Sequence, residues 1–359
     1  MPFAWTRILP KKYYESVGQA EFRKRPIGSG PFKFVKFVPS TSFEMEAYTG
    51  HWSQVPAYKT VIDLMVPEEA TRLAMVKNGE VDIAQGLSAD RLVELRASGF
   101  RLQELGLPTL ANISFQGTWM TDGPTSDIRV RQAMSYSVNR DELSKTFYKG
   151  LATPGGRWFM HEQTWGWDPS FAADPYDLAK AKQLLADAGY PGKFKNPVIQ
   201  INTQSDARLE MMQAVQGYWD KAGIQTKINI VDAMTYGGLY FVRAKDASAP
   251  NVGDIIPWVS GGFFNNVYHS ANMFTSVGVH TTANDPKADQ LYAKAIAEID
   301  PVKAKQYWTE FTAYAYTLWV NVGIIKRPTL FAVGPNVGEF TAKAHLGIYD
   351  SLAGIQHKK

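Results

Sequence analysis

Residues 127–143 read Asp-Ile-Arg-Val-Arg-Gln-Ala-Met-Ser-Tyr-Ser-Val-Asn-Arg-Asp-Glu-Leu, and this stretch decides how the chain is put together. Asp127 is a good helix N-cap, because its carboxylate can accept from the free backbone amides of the next turn. Val130, Ala133, Met134 and Val138 recur at helical spacing and form one apolar face. Arg129 and Arg131 sit beside that face. Asn139 caps a second helix, with Glu142 at its third position in the manner of a capping box. The stretch therefore predicts a capped helix, a break and a second helix, which together make a corner.

On both sides of the corner, strands alternate with helices. Pro31–Val38 alternates apolar and charged residues, Pro39-Ser-Thr-Ser turns it, and Phe43–Ala47 returns as a hairpin. Thr60–Val66 reads as a strand. Pro67-Glu-Glu-Ala opens a helix to Asn78, with proline and acids where a helix start favours them. Gly79–Ala84 leads into a short strand, Ser88–Ser98 is a helix ending at Gly99, and Arg101–Leu105 and Leu110–Phe115 are strands. Beyond the corner, Tyr176–Ala188 is a helix stopped by Gly189. Val198–Asn202, Ala207–Ala222 and Ile224–Val231 form a strand-helix-strand unit of the kind that pairs in parallel. Asp254–Val259 is a further strand, Pro286–Ile299 and Pro301–Leu318 are adjacent helices, and Ile324–Ile325 and Thr329–Phe331 return to strand. The alternation predicts an α/β chain with mixed sheets flanked by helices.

The composition narrows the function classes. The 359 residues suffice for two domains, and 45% hydrophobic with 20% charged residues is an ordinary globular mixture. No run of about 18 apolar residues predicts a membrane-spanning helix. The chain has no cysteine, which rules out disulfides, thiolate metal sites and cysteine nucleophiles. The net charge of +4 is spread without an arginine or lysine stripe, so no nucleic-acid partner is expected. His51, His161, His269, His280, His345 and His357 make no metal-binding pair, and no Gly-x-Ser-x-Gly elbow occurs. No catalytic residue, metal or cofactor is therefore expected. Met1-Pro-Phe-Ala-Trp does not continue into an apolar signal-peptide core.

Several segments carry recognisable wording. Ile27-Gly-Ser-Gly-Pro-Phe-Lys-Phe needs a tight glycine turn and then a strand. It is not a phosphate loop, because no Gly-Lys-Ser/Thr follows and a helix does not come next. Tyr48-Thr-Gly-His-Trp contains a lone histidine, His51, that reads as a surface or packing residue. Thr71–Ala84 is a helix, turn and strand in which Glu80 and Asp82 read as a solvated strand edge. These segments, the corner at 127–143 and the segment at 176–192 resemble, in order and spacing, the bacterial extracellular solute-binding family 5. Its members serve peptide, dipeptide and nickel ABC importers. The resemblance runs over residues 26–335.

The resemblance implies an α/β, two-lobe periplasmic-binding-protein-like fold (type II, cluster C). It assigns residues 1–114 to a first lobe, 115–320 to a second lobe, and 321–359 to a segment returning to the first. The first lobe is expected to be incomplete, because family members carry a long stretch before Gly-Ser-Gly-Pro and only 27 residues precede it here. The chain is expected to cross between lobes near Asn112–Gly117 and to return near Trp319–Gly323.

The implied function is a non-enzymatic extracytoplasmic receptor of an ABC importer. It would capture an oligopeptide, a sugar or a similar polar solute between its lobes and deliver it to the permease subunits. Its place is the periplasm or the outer face of the cytoplasmic membrane, with the signal or lipid anchor missing from this chain. In peptide-binding members an aspartate in a Trp-x-x-Asp-like loop pairs with the ligand's amino group. The matching stretch is Trp258–Tyr268, where Gly261 and Gly262 stand in place of an acid and Asp254 is a poor replacement. Trp258, Phe263, Phe264, Asn265, Asn266 and Tyr268 instead suit stacking and neutral hydrogen bonds. Phe115 and Gln116 at the crossover, and Trp158 and Trp165 after the corner, complete the candidate ligand contacts. Arg129 and Arg131 read as scaffold. The alternative is a truncated, non-transport interaction or sensory domain on the same scaffold.

Overall fold

A computed structural model describes residues 9–104, 108–119, 123–157, 166–204, 207–240, 255–261, 273–276, 278, 284–340 and 352–356, with backbone only at 207–208, 239–240 and 258–261. The chain divides into two compact units, Met1–Leu107 with Pro328–Lys359, and Pro108–Arg327.

The first unit begins with α1 (Lys11–Lys24), a helix with no buried residue and a kink at Gly18, which the sequence pattern did not signal. Strands β1 (Phe32–Val38), β2 (Ser42–Ala47) and β3 (Thr60–Leu64) form an antiparallel sheet in that order. Helix α2 (Glu69–Asn78) buries Leu73 and Val76 and stops at Gly79, whose φ of 73° suits glycine. There follow β4 (Ile83–Ala84), α3 (Ala89–Ala97), which buries Leu92 and Leu95, and β5 (Arg101–Glu104). His51 ties a turn together: its Nδ1 accepts from the Gln54 amide at 3.0 Å, and its Nε2 lies 3.1 Å from the Ser29 carbonyl.

The second unit is built on one mixed sheet. Its elements are β6 (Thr109–Phe115), α4 (Ile128–Tyr136), α5 (Arg140–Tyr148), β7 (Thr153–Pro154), α6 (Leu178–Ala188), β8 (Ile199–Thr203), α7 (Ala207–Ala222), β9 (Thr226–Ile230), α8 (Ala233–Tyr240), β10 (Ile255–Gly261), α9 (Pro286–Ala297), α10 (Pro301–Thr317) and β11 (Asn321–Arg327). The strand order is β7-β11-β6-β10-β8-β9. As the strand-helix-strand pattern requires, β8 and β9 are parallel, while β6 runs antiparallel to both β10 and β11.

The corner forms as its residues dictate. Asp127 accepts from the Arg129 amide at 3.0 Å, and Asn139 from the Glu142 amide at 3.1 Å. Val130, Ala133, Met134 and Val138 are fully buried. They pack with Ile113 and Phe115 of β6, Ile201 of β8, Trp219 of α7 and Val322 of β11 in one apolar core. Full burial of the valine and methionine side chains contributes about 1.5–3 kcal/mol each. Trp219 also finds a partner for its indole N–H, the Met134 carbonyl at 3.0 Å.

Two boundaries differ from expectation. Strands β6 and β11 pair along their length in the middle of the sheet, so neither can be shared with the other unit. Residues 109–114 and 321–327 belong to the second unit, and the crossings fall at Leu107–Pro108 and Arg327–Pro328 rather than at 112–117 and 319–323. The helix expected to reach Ile299 stops at Ala297. Glu298 Oε1 accepts from the Ile299 and Asp300 amides, and Asp300 then caps α10 through the Val302 and Lys303 amides.

After the second crossing, β12 (Leu330–Val333) returns to the first unit between β4 and β5. Phe331, Val333, Val337, Phe340 and Ile355 form its local core. Among the described residues no helix is long and apolar enough to cross a membrane.

Candidate functional site

Strand β6 alternates between two environments. Ala111, Ile113 and Phe115 point into the helix-packed core. Leu110, Asn112, Ser114 and, just past the strand end, Gln116 take the other face. There Leu110 packs with Phe274 and with Trp308, Phe311 and Ala315 of α10. The three polar residues are only 0, 1 and 7% exposed. Asn112 Nδ2 and Oδ1, Ser114 Oγ, and Gln116 Nε2 and Oε1 have no hydrogen-bond partner among the described residues. This is unusual, because buried polar side chains are nearly always paired.

The neighbouring strands frame this row. Trp258 and Ile256 of β10 stand opposite Asn112 and Ser114, and Gly261 stands opposite Thr109. Ile256 packs with Tyr236 and Val231. On the other side Asn321 is opposite Ser114 and Gly323 opposite Asn112. Continuing that register places Gln116 opposite Trp319. At β8 and β9 the same face carries a satisfied amide group, in which Asn229 Nδ2 donates to Gln200 Oε1 at 3.1 Å and to Asn202 Oδ1 at 3.3 Å.

Beside the row lies a dense cationic cluster. The chain passes over β11 at Gly155-Gly156, and a Cβ at Gly323 would fall on the Gly156 carbonyl. That close approach delivers Arg157. Its guanidinium carbon sits 3.3 Å from the Trp319 ring centroid and 4.0 Å from that of Tyr316. Nη1 donates to the Tyr316 carbonyl at 2.8 Å, and Nε lies 3.2 Å from Asp174 Oδ2. Ser135 Oγ donates to the same Asp174 oxygen at 2.6 Å and accepts from Arg140 at 2.7 Å. Arg140 also donates to the carbonyls of Gly323 and Asp174. Arg131 donates to the carbonyls of Thr125, Ser126, Leu318 and Trp319. It thereby holds Trp319 at a φ of 51°, a conformation uncommon for a non-glycine residue. Burial pushes both Arg131 and Arg140 down to about 10, so both are cations at neutral pH. Arg131 is thus the scaffold residue expected, and Arg129 pairs with Asp127.

The residues expected to bind ligand fall into three groups. Gln116 lies on the polar face. Phe115 is a correction: it is fully buried in the helix-packed core, because strand alternation sends it away from Gln116. For Trp258 only the backbone is described; Phe263, Phe264, Asn265, Tyr268, Trp158 and Trp165 lie outside the described residues. Asn112, Ser114, Arg157 and Trp319 escaped the sequence reading. The one signal available was the polar alternation within Leu110–Gln116. Among the described residues no group of His, Asp and Glu could hold a metal.

Comparison with known proteins extends over most of the chain. Residues 2–275 match the family described as bacterial extracellular solute-binding proteins, family 5 Middle. The dipeptide-binding protein of Escherichia coli (strain K12) is 28% identical over 255 residues, covering 68% of this chain and 46% of that protein. Heme-binding protein A of Haemophilus influenzae is 29% identical over 210 residues, covering 56% of this chain and 37% of that protein. The chain thus spans less than half the length of these relatives. The crystal structure of the ABC transporter substrate binding protein CtaP from Listeria monocytogenes superposes with a TM-score of 0.78 at 18% identity, over 98% of this chain and 72% of that one. The likeness establishes the fold, the mixed α/β architecture of type II periplasmic binding proteins.

Proposed function

The chain belongs to the bacterial extracellular solute-binding proteins, family 5, and on that premise we propose that it is a non-enzymatic receptor of an ABC importer. It captures a peptide or a similar polar organic solute outside the cytoplasmic membrane and hands it to the permease subunits. Opening and closing at the Leu107–Pro108 and Arg327–Pro328 crossings is the capture step, driven by contacts that are tighter in the closed state than in the open one.

The observation that carries this reading is the polar row on β6. An unmade hydrogen bond on a buried group costs about 1–3 kcal/mol. Asn112, Ser114 and Gln116 leave such groups without a partner among the described residues, an arrangement that packing alone does not favour. A sequence that keeps such a row on a central strand is using it, and neutral donors and acceptors suit a solute rich in amide or hydroxyl groups. Gly261 and Gly262 support the same preference, since neither supplies the carboxylate with which the family's peptide binders hold a free amine.

The test is thermal unfolding of this chain against libraries of peptides, oligosaccharides and metal chelates. At least one solute should raise Tm in a concentration-dependent way. No shift from any of the three libraries would contradict the receptor reading and favour an interaction or sensory role on the same scaffold.

A further inference from the structure

We infer that the first unit docks on an anionic membrane surface through a basic, aromatic patch built from α1 and the turn at residues 48–55. The inference is independent of the polar row on β6 and adds a contact with lipid to the receptor reading.

No arginine or lysine stripe marks the chain, yet its excess charge is unevenly placed. Residues 1–59 hold nine lysines and arginines against four glutamates, whereas residues 60–359 hold 29 basic against 30 acidic residues. Much of the excess falls on α1, which carries Lys11, Lys12, Arg23 and Lys24, is followed by Arg25, and buries none of its residues. Glu15 lies 3.8 Å from Lys11, and Glu21 lies 3.4 Å from Lys24 and 3.7 Å from Arg25. Exposed pairs of this kind add little stability, so folding does not account for the cations.

Hydrogen bonds and ring contacts gather the patch. The kink at Gly18 folds α1 back so that Tyr13 and Tyr14 meet Phe22, with ring centroids 6.0 and 5.3 Å apart. The Tyr13 hydroxyl donates to the Arg25 carbonyl at 3.0 Å. The chain then runs alongside the turn: the Ser29 carbonyl lies 3.1 Å from His51 Nε2, and the Tyr48 amide donates to the Pro31 carbonyl at 2.8 Å. Lys33 Nζ sits 4.7 Å from the Tyr48 ring centroid. Glu46 is opposite Lys33 in the hairpin, and the cations of α1 keep the surface positive.

Apolar side chains stand out of the same surface. Trp52 is 85% exposed, and Ile27, Tyr48 and Val55 are exposed with it. Single exposed apolar residues are ordinary, but a cluster rimmed by charge marks an interaction surface. Its chemistry matches a membrane: anionic headgroups take the cations, and indole and phenol rings rest at headgroup level.

The test sediments the full chain with vesicles of pure phosphatidylcholine and of equimolar phosphatidylcholine and phosphatidylglycerol, at low and high salt. Binding to the anionic vesicles should be at least about tenfold tighter at low salt and should weaken as salt screens the charges. Trp52→Ser, and Lys24→Gln with Arg25→Gln, should each weaken it about fivefold or more. Lys303→Gln with Lys305→Gln removes the same charge from exposed positions on α10 of the second unit and should leave it unchanged. Should the α1 variant fail to fold, Lys33→Gln tests the same charge from β1. Equal binding to both vesicles, binding untouched by the patch variants, or equally tight binding to duplex DNA without dependence on Trp52 overturns the inference. So does a dimer that Trp52→Ser dissociates, which would seat a second copy on the patch. Solute capture is read by titration without vesicles, so these outcomes leave the receptor reading to its own test.

Discussion

The two faces of β6 differ by one residue of register and by everything else. On one side Ile113 and Phe115 disappear into the core between the sheet and helices α4 to α7. On the other, Asn112 and Ser114 are just as inaccessible yet have no hydrogen-bond partner among the described residues. The first face is what folding would select for, and the second is what folding alone would remove. Apolar side chains of the same shape would leave the second face as stable or more so, and the proposed receptor role supplies the reason to keep it polar.

The comparison is broken or sharpened by substitutions on each face. The largest effect belongs to the core face: Phe115→Ala should cost about 3–5 kcal/mol through lost burial and a cavity, read as a lowered urea midpoint at constant m-value. On the polar face the sign reverses. Asn112→Leu should raise stability by roughly 1–3 kcal/mol by removing two unmet groups, and should diminish whatever thermal shift a solute produces. A stability loss there, with solute response intact, would place Asn112 in an ordinary structural network.

The third test is smaller and concerns the corner that supports the core face. The Arg129 side chain, with its backbone amide, holds the Asp127 carboxyl down at about 2. Its unfolded value is near the ordinary ~3.9. A depressed folded value stabilises above the unfolded one and loses that contribution as the pH falls through the folded one, so the loss belongs between about pH 4 and pH 2. Allowing for solvent screening, Asp127→Asn should cost about 1–2 kcal/mol at pH 6. Urea melts at pH 6 and pH 2 should show the gap between variant and wild type closing at the lower pH.

Much of this fold was legible because local chemistry and global packing agree. The caps at Asp127 and Asn139, the glycine stops at Gly79 and Gly189, and the parallel β8-α7-β9 unit all follow from short-range rules. The unit boundaries were misplaced although a signal existed: Pro108 and Pro328 lack the amide that a ladder needs, and they sit where the chain enters and leaves the second unit. The site was harder to read. Polar residues at alternate strand positions ordinarily mean a solvated face, and only the third dimension reveals that this face of β6 is covered. Arg157 follows a Gly-Gly pair that reads as loop, and nothing local announces that it will stack on Trp319, far along the sequence. The expected anchors Trp258, Phe263, Phe264, Asn265 and Tyr268 were chosen from composition and resemblance, which give residue types without orientation.

The central claim is that the polar face of β6 touches the solute, and side-chain amide NMR addresses it most directly. The Asn112 and Gln116 NH2 resonances can be assigned by their disappearance in Asn112→Leu and Gln116→Leu. On titration with the library solute that gives the largest rise in Tm, both pairs should shift along with saturation of binding. If they stay fixed while the Trp258 indole signal alone moves, the solute binds elsewhere and the unpartnered row is not its contact surface.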